Sequence, residues 1–411
     1  MTPTIQPRSG IEALNVYAGL ARITVPELLR GRGLDPDRQA NLMMTSRSVG
    51  LPVEDPVTNA VNAARPVVAA LTPEQRDSIE LLVTSTESGL DLSKSVASYV
   101  HEYLGLSRNC RLLEVKQACY AATGAVQLAA GYLASGASPG ARALVIATDV
   151  ALTDERAEYA EPATGHGAAA ILVSDQPTVL ALDFGAFGTY SYETLDSARP
   201  TPEFDIADVD RSLFAYLDCL SGSFADYQSR VDGADFARGF GYLAMHTPFA
   251  GLVKAAHRKL MREHGAAAAA DADFQRRLLP SLAYPAQVGN LCSGSVYLAL
   301  ASLLDHAEIG APVRIGLYAY GSGCSSEFFS GIADPGSAAA VRAMDIGGRL
   351  AARRDLSFAE YLGLLDITRH CLSPEPDRVV DVTRYHEFLP GGGQHLVYTG
   401  TKQYHRRYEW R

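Results

Sequence analysis

Hydrophobic and polar positions along the chain fall into two alternating rhythms. The runs IELLVTSTES (79–88), RLLEVKQAC (111–119), RALVIATDVAL (142–152) and GAAAILVSD (167–175) are dense in Val, Ile, Leu and Ala. That is the pattern of short strands buried on both faces. Between them the spacing predicts helices. LSKSVASYVHEYLG (92–105) has an amphipathic period, and in QACYAATGAVQLAAGYL (117–133) Ala122, Val126, Ala129, Ala130 and Leu133 recur on one helical face. Strands alternating with helices predict a layered α/β architecture.

A second series of the same kind follows. A helix is expected after MHTPF (245–249) and over GSVYLALASLLDHA (294–307), a strand over RIGLYAYGSG (314–323), and a late helix over DLSFAEYLGLLDITRH (355–370). The chain therefore reads as two halves, 1–178 and 179–411. Residues 184–240, richer in Tyr, Phe, Asp and Ser, are expected as an insertion wrapping over a site, with a helix in SLFAYLDCLSGSFADYQSR (212–230). The end of the chain, KQYHRRYEWR, carries Lys402, Arg406, Arg407 and Arg411 and is expected as a basic, solvated tail.

Composition narrows the function classes. The 411 residues are 47% hydrophobic and 20% charged, which describes a globular chain long enough for two fused halves. A net charge of −10 argues against a nucleic-acid footprint. No apolar run approaches the roughly 18 residues of a spanning helix, and MTPTIQPRSG lacks the charged and apolar regions of a signal peptide, so a cytoplasmic protein is expected. The six cysteines are dispersed, without CxxC or cysteine–histidine spacing, so free thiols are expected and no metal site is read. Walker A, Rossmann, GxSxG and HExxH patterns are absent, and no bound cofactor is expected.

Cys119 stands where a strand-like run stops and a helix begins, near unpaired N–H groups that favour thiolate. It is either a nucleophile able to hold an acyl group or a packed structural thiol. Glu87, in TSTESGLDLSKS (84–95), ends a strand, where a desolvated carboxyl becomes a proton acceptor near neutrality; the alternative is an ordinary acid at a helix start. His246 precedes Pro248 by two residues and is either positioned to donate to a substrate oxygen or an ordinary histidine, whereas His101 and His257 read as structural. Asn290 in VGNLCSGS and Ser322 in YAYGSGC occupy glycine-containing turns, which serve either substrate approach or turn formation.

ESGLDLSKS, KQACYAATGA, MHTPFAGLVK, GNLCSGSVYLALASLL and YGSG occur in the order found in hydroxymethylglutaryl-CoA synthases, and the chain resembles that family from about Gly10 to Gly331. The resemblance implies a thiolase-like fold, two similar α/β halves in a five-layered αβαβα arrangement, usually a homodimer. It also implies that Cys119 is acylated by an acetyl thioester, that Glu87 removes a proton from the acetyl methyl group, and that His246 binds the acceptor ketone. Asn290 and Ser322 would line the thioester site, Ser322 near the oxyanion region. The same motifs nominate Pro248, Phe249 and Lys254 for substrate binding, Lys254 toward a phosphate of CoA or of carrier-linked phosphopantetheine.

GIEALNVYAGLARITVPELLRGRGL (10–34), VHEYLGLSRNCRLLEVKQACY (100–120) and the Arg/Tyr-rich end are more similar to the synthases of polyketide β-branching cassettes than to mevalonate-pathway enzymes. This implies acyl carrier proteins as partners, holding both the acetyl donor and the β-ketoacyl acceptor. Arg30, Arg32 and the basic end are the candidate docking groups for those acidic proteins. A CoA-dependent synthase of the mevalonate type, a ketosynthase III-like enzyme and a non-catalytic scaffold are the alternatives. Glu87 argues against the ketosynthase, because decarboxylation generates its own carbanion. Cys292 and Cys324 lie in turns near the expected site and either pack or shape its tunnel.

Overall fold

The computed structural model describes residues 9–150, 152 and 160–411; the first eight residues and Ala151, which belong to the leader and third-run expectations, lie outside the described residues. The main sheet is built from β1 (Gly10–Tyr17), β2 (Ile79–Ser85), β3 (Arg111–Val115), β4 (Arg142–Val150), β5 (His166–Ser174), β6 (Leu180–Ser191), β7 (Tyr242–Met245), β8 (Val313–Gly321) and β9 (Ser325–Ala333). Their spatial order is β7-β8-β9-β6-β1-β5-β4-β2-β3. Within the sheet, among the described residues, the two blocks are joined by the pairing of β1 with β6, Gly10↔Ala181 and Ile11↔Leu180.

Six helices sort onto these blocks: α1 (Pro56–Ala69), α2 (Val96–Leu104), α3 (Ala121–Ala134), α4 (Val209–Arg230), α5 (Ala250–Glu263) and α6 (Ser295–His306). Side chains alternate across each strand. Leu144, Ile146, Ala168 and Leu172 face Val57 and Val61 of α1 and Val100 of α2. Their neighbours Val145, Ala147, Ile171 and Val173 face inward, with Val126 of α3, Leu300 of α6, and Ile315 and Leu317 of β8 in one core. Tyr318, Tyr320 and Phe328 point the other way, to Tyr216 and Phe224 of α4 and Val253 of α5. Both faces of the central strands are thus apolar, which is why they read as near-continuous apolar runs. The result is the five-layered, thiolase-like αβαβα fold.

Two expectations are corrected. Residues 184–240 are not a simple insertion: 184–191 complete β6, a strand paired with β9, and Val209–Arg230 is a layer helix whose apolar face is buried. The hairpin of Ser197–Thr201 and Phe204–Ala207 lies over the site. The basic end is likewise not a free tail. Leu396–Lys402 and His405–Trp410 form a hairpin, and Arg406 is buried with its Nη1 3.0 Å from Asp55 Oδ2, which also accepts from the Tyr408 hydroxyl at 2.8 Å. Asp55 meanwhile caps α1 in a capping box with Thr58. Residue-type clustering signals charge but cannot reveal that one arginine of the cluster has a buried carboxylate waiting. Lys402, Arg407 and Arg411 are exposed.

Candidate active site

Three turns bring the chemistry together. β2 ends at Ser85, and Glu87 follows in a turn pinned from beneath by Asp149 at the end of β4. Asp149 Oδ1 accepts from the Glu87 N–H at 2.7 Å and from the Thr86 and Ser88 hydroxyls at 3.1 and 3.0 Å. From above, Arg199 donates through Nη1 to the Glu87 carbonyl at 3.2 Å and the Ser88 hydroxyl at 2.9 Å, while its Nε and Nη2 fork onto Asp205. Asp149 and Arg199 were not foreseen. The one available signal was an aspartate at the end of an otherwise apolar run; Arg199 had none.

Cys119 lies in a short 3-10 turn, Ala118–Tyr120, that feeds α3. Its thiol donates to Glu87 Oε1 at 3.3 Å. The turn is fixed from two sides. Ala118 adopts φ +44, an uncommon conformation for a residue with a side chain. The Tyr120 hydroxyl, with Gln127 Nε2, binds the buried Glu327 carboxylate of β9, at 2.8 and 2.7 Å. Gly321, at the end of β8, packs so closely that a Cβ there would stand 2.5 Å from both Gln117 O and Tyr120 N. Ser322 follows, its carbonyl accepting from Gln117 Nε2 at 3.4 Å.

The third turn carries Asn290 and Cys292. Asn290 is tied by its backbone to the segment before β5, with its N–H on Ala163 O and its carbonyl accepting from Gly165 N–H. Its Oδ1 accepts from Cys292 N–H at 3.0 Å and the Ser295 hydroxyl at 2.7 Å. The buried Cys292 thiol, the Cys119 thiol and a Glu87 carboxylate oxygen lie within 4.8 Å of one another.

The electrostatics decide which protons stay. Glu87 is raised by burial, with Arg199 and the two thiols pulling the other way. Asp149 is raised by burial and by the like charge of Glu87. For Cys119 the hydrogen bond from Cys292 lowers the pKa, but burial and the Glu87 charge outweigh it and hold the thiol at about 12. The helix-start expectation of a ready thiolate is therefore corrected: the dipole is overruled by an adjacent carboxylate and low solvent access. A thiol that donates to a carboxylate can pass its proton to it, which is the arrangement that activates a thiol for nucleophilic attack.

His246 lies one residue beyond β7, whose Met245 is in register with Tyr318 of β8, so it sits beside the same strand end that meets the Cys119 turn. Its N–H bonds Tyr318 O, its carbonyl accepts from the Tyr216 hydroxyl, and Nδ1 is buried without a partner among the described residues. Burial lowers its pKa to about 3, so the imidazole is neutral. Phe249 caps α5 and, like Pro248, is half-buried; Lys254 on that helix lies with Nζ 5.4 Å from the Phe274 ring centre. Of the docking candidates, Arg30 pairs with Glu27, and Arg32 is held by Glu161 at 2.7 Å and by the Phe358 ring. His257 bonds Asp273 at 2.8 Å and His101 the Ser107 carbonyl, both structural contacts.

A thiolase-like fold with a carboxylate-paired cysteine at a helix start defines the class: a condensing enzyme that forms C–C bonds by way of thioesters. The chain belongs to the hydroxymethylglutaryl-CoA synthase family, matching its N-terminal model over residues 40–178 and its C-terminal model over 259–375. It is 44% identical to the polyketide biosynthesis 3-hydroxy-3-methylglutaryl-ACP synthase PksG of Bacillus subtilis (strain 168), across 98% of this chain and 99% of that protein. It is 32% identical to the hydroxymethylglutaryl-CoA synthase of Enterococcus faecalis, across 86% of this chain and 90% of that one. The curacin biosynthetic pathway HMG synthase, solved in complex with acetyl donor-ACP, superposes with a TM-score of 0.95 at 44% identity, covering 98% of this chain and 100% of the other.

Proposed function

We propose that the protein condenses an acetyl thioester with the β-ketone of an acyl-carrier-bound β-ketoacyl thioester, giving a 3-hydroxy-3-carboxymethyl thioester for polyketide β-branching. The observation that carries this reading is the Cys119 thiol donating to Glu87 inside the seam between the halves. Cys119 attacks the acetyl carbonyl as Glu87 takes its proton, and that proton leaves with the pantetheine thiol. Glu87 then removes a proton from the acetyl methyl group, a step that needs both a base and donors on the developing enolate oxygen. Holding acetyl on Cys119 makes the encounter with the ketone effectively intramolecular. The neutral His246 ring donates to the ketone oxygen, the alkoxide takes a proton, and water releases the new carboxylate from Cys119. Asn290, Ser322, Pro248 and Phe249 border the thioesters, and Lys254 serves a phosphate.

The carrier preference is supported by the likeness to PksG and to the curacin synthase, whose solved complexes hold donor carrier protein. No helix of the described residues is long and apolar enough to cross a membrane, which agrees with a cytoplasmic enzyme. Each chain comprises two halves, 1–178 and 179–411, and two chains associate as a homodimer. The substrates arrive on phosphopantetheine, and no resident cofactor takes part.

The test mixes the protein separately with acetyl-carrier protein and acetyl-CoA and locates the acetyl group by peptide mass spectrometry, with Cys119→Ser as control. Rapid labelling of Cys119 from the carrier alone is expected. Equal or better labelling from CoA would move the enzyme to the mevalonate type, and an unlabelled Cys119 would remove the first step.

A further inference from the structure

The reaction needs one thiol and one carboxylate, yet the site holds a second thiol. Cys292 is buried, and its Sγ, the Cys119 Sγ and a Glu87 oxygen lie within 4.8 Å of one another, with the Cys119–Glu87 pair at 3.3 Å. The three donors come from three separate turns, so no spacing in the sequence could have announced them. Two sulfurs and one carboxylate oxygen are the donor set of a borderline-soft cation. Zinc bonds of ~2.3 Å to sulfur and ~2.0–2.2 Å to oxygen set tetrahedral donor separations of roughly 3.5–3.8 Å, so the trio closes by at most about an ångström.

An independent observation points the same way. Asp149 is buried beneath the Glu87 turn, and its Oδ2 has no hydrogen-bond partner among the described residues. When ionised, Asp149 raises the pKa of both the Cys119 and the Cys292 thiol. Arg199 is the cation set against these acidic groups, and two of its nitrogens are already committed to Asp205. Four groups able to carry negative charge thus converge on one partly spent guanidinium. Such a site holds either protons or a cation.

We propose that Glu87, Cys119 and Cys292 form a binding site for a thiophilic divalent cation, zinc in the first place, which occupies the resting enzyme in competition with the acetyl donor. Binding expels the two thiol protons to solvent, with no change of oxidation state. Hard cations such as Mg²⁺ are excluded by the sulfur donors. Acetylation converts the Cys119 thiol to a thioester, a far poorer ligand, so metal and acetyl group are mutually exclusive. The consequence for turnover rests on Cys119 being the nucleophile; the binding itself does not, and is read without turnover.

The reduced, metal-free protein is titrated with Co²⁺ and followed by thiolate-to-cobalt charge-transfer absorption, with Zn²⁺ and Mg²⁺ as competitors. One equivalent is expected to bind, to be displaced by Zn²⁺ and not by Mg²⁺. Cys292→Ser and Glu87→Gln should each weaken binding at least about tenfold, with circular dichroism verifying that both variants fold. Cys219 and Cys324, whose sulfurs are 3.4 Å apart, are the rival pair, so Cys219→Ser should leave the absorption intact. Absence of a stoichiometric band, a band unchanged in Cys292→Ser, or one lost in Cys219→Ser overturns the proposal. Cobalt bound by a protein that takes up no acetyl group would leave the site standing and remove only the nucleophile reading.

Discussion

Cys119 keeps its proton at rest, and Glu87 accepts from it. Each residue was legible because its signal is local: a cysteine at a helix start, an acid at a strand end. What the local signals could not carry was their mutual effect, which reverses the expected thiolate. Glu87→Ala should slow acetyl-Cys119 formation, since the thiol loses its proton acceptor, and lower condensation by roughly 10²–10⁴-fold, read by intact mass and product formation on the same sample; retained condensation would exclude Glu87 as the base. The Asp149–Glu87 pair makes a second prediction. Both carboxyls are raised by burial, so the folded chain holds a proton that the unfolded chain releases in the ordinary carboxylate range. Stability therefore falls as pH rises from that range. Urea midpoints in mildly acidic and mildly alkaline buffer should show this slope, and Asp149→Asn should flatten it.

Elements position these side chains through their ends. The strands and helices read from the apolar runs match the structure to within a few residues, since runs buried on both faces have few other readings, whereas β1, β6, β7, β9 and α1 were not read. Hydrophobic pattern is silent about close approach between strand ends and turns, and so Gly321 escaped notice except as part of a turn. Its backbone seats the Cys119 turn, and Gly321→Ala puts a methyl group 2.5 Å from two backbone atoms there. We expect the variant to fold, with acetylation slowed about 100-fold, the scale at which small misplacements of reacting groups act; single-turnover acetyl transfer measures it, and an unchanged rate would mean that the turn can shift freely. The terminal hairpin teaches a related lesson. Removing one partner of a buried ion pair such as Arg406–Asp55 costs about 3–5 kcal/mol, so what reads as a charged end is fastened to the capping residue of α1.

For the whole molecule, the sheet stops at β3, whose outer edge has no partner strand among the described residues. Leu113 on that edge is 53% exposed, unusual for a leucine in a strand. A second copy pairing there antiparallel about a two-fold axis would continue the sheet. Leu113→Lys should then turn the dimer into a monomer in light scattering, and a wild-type monomer at working concentration would dismiss the interface. The division into two similar halves was legible from the repeated rhythm of strands and helices, whereas the way residues 184–240 share between sheet, outer helix and cover was not, because composition alone does not distinguish a layer from a loop.

The seam between those halves also sets a timetable. The Cys119 turn is made early, but Gly321, which seats it, and Cys292, which adjoins it, come from the far half of the chain. As the polypeptide leaves the ribosome, Cys119 is an ordinary thiol with no docking surface for its turn. The neighbours that seat this turn are in place only after the last core strands close over it, so a truncated translation product would carry Cys119 without them.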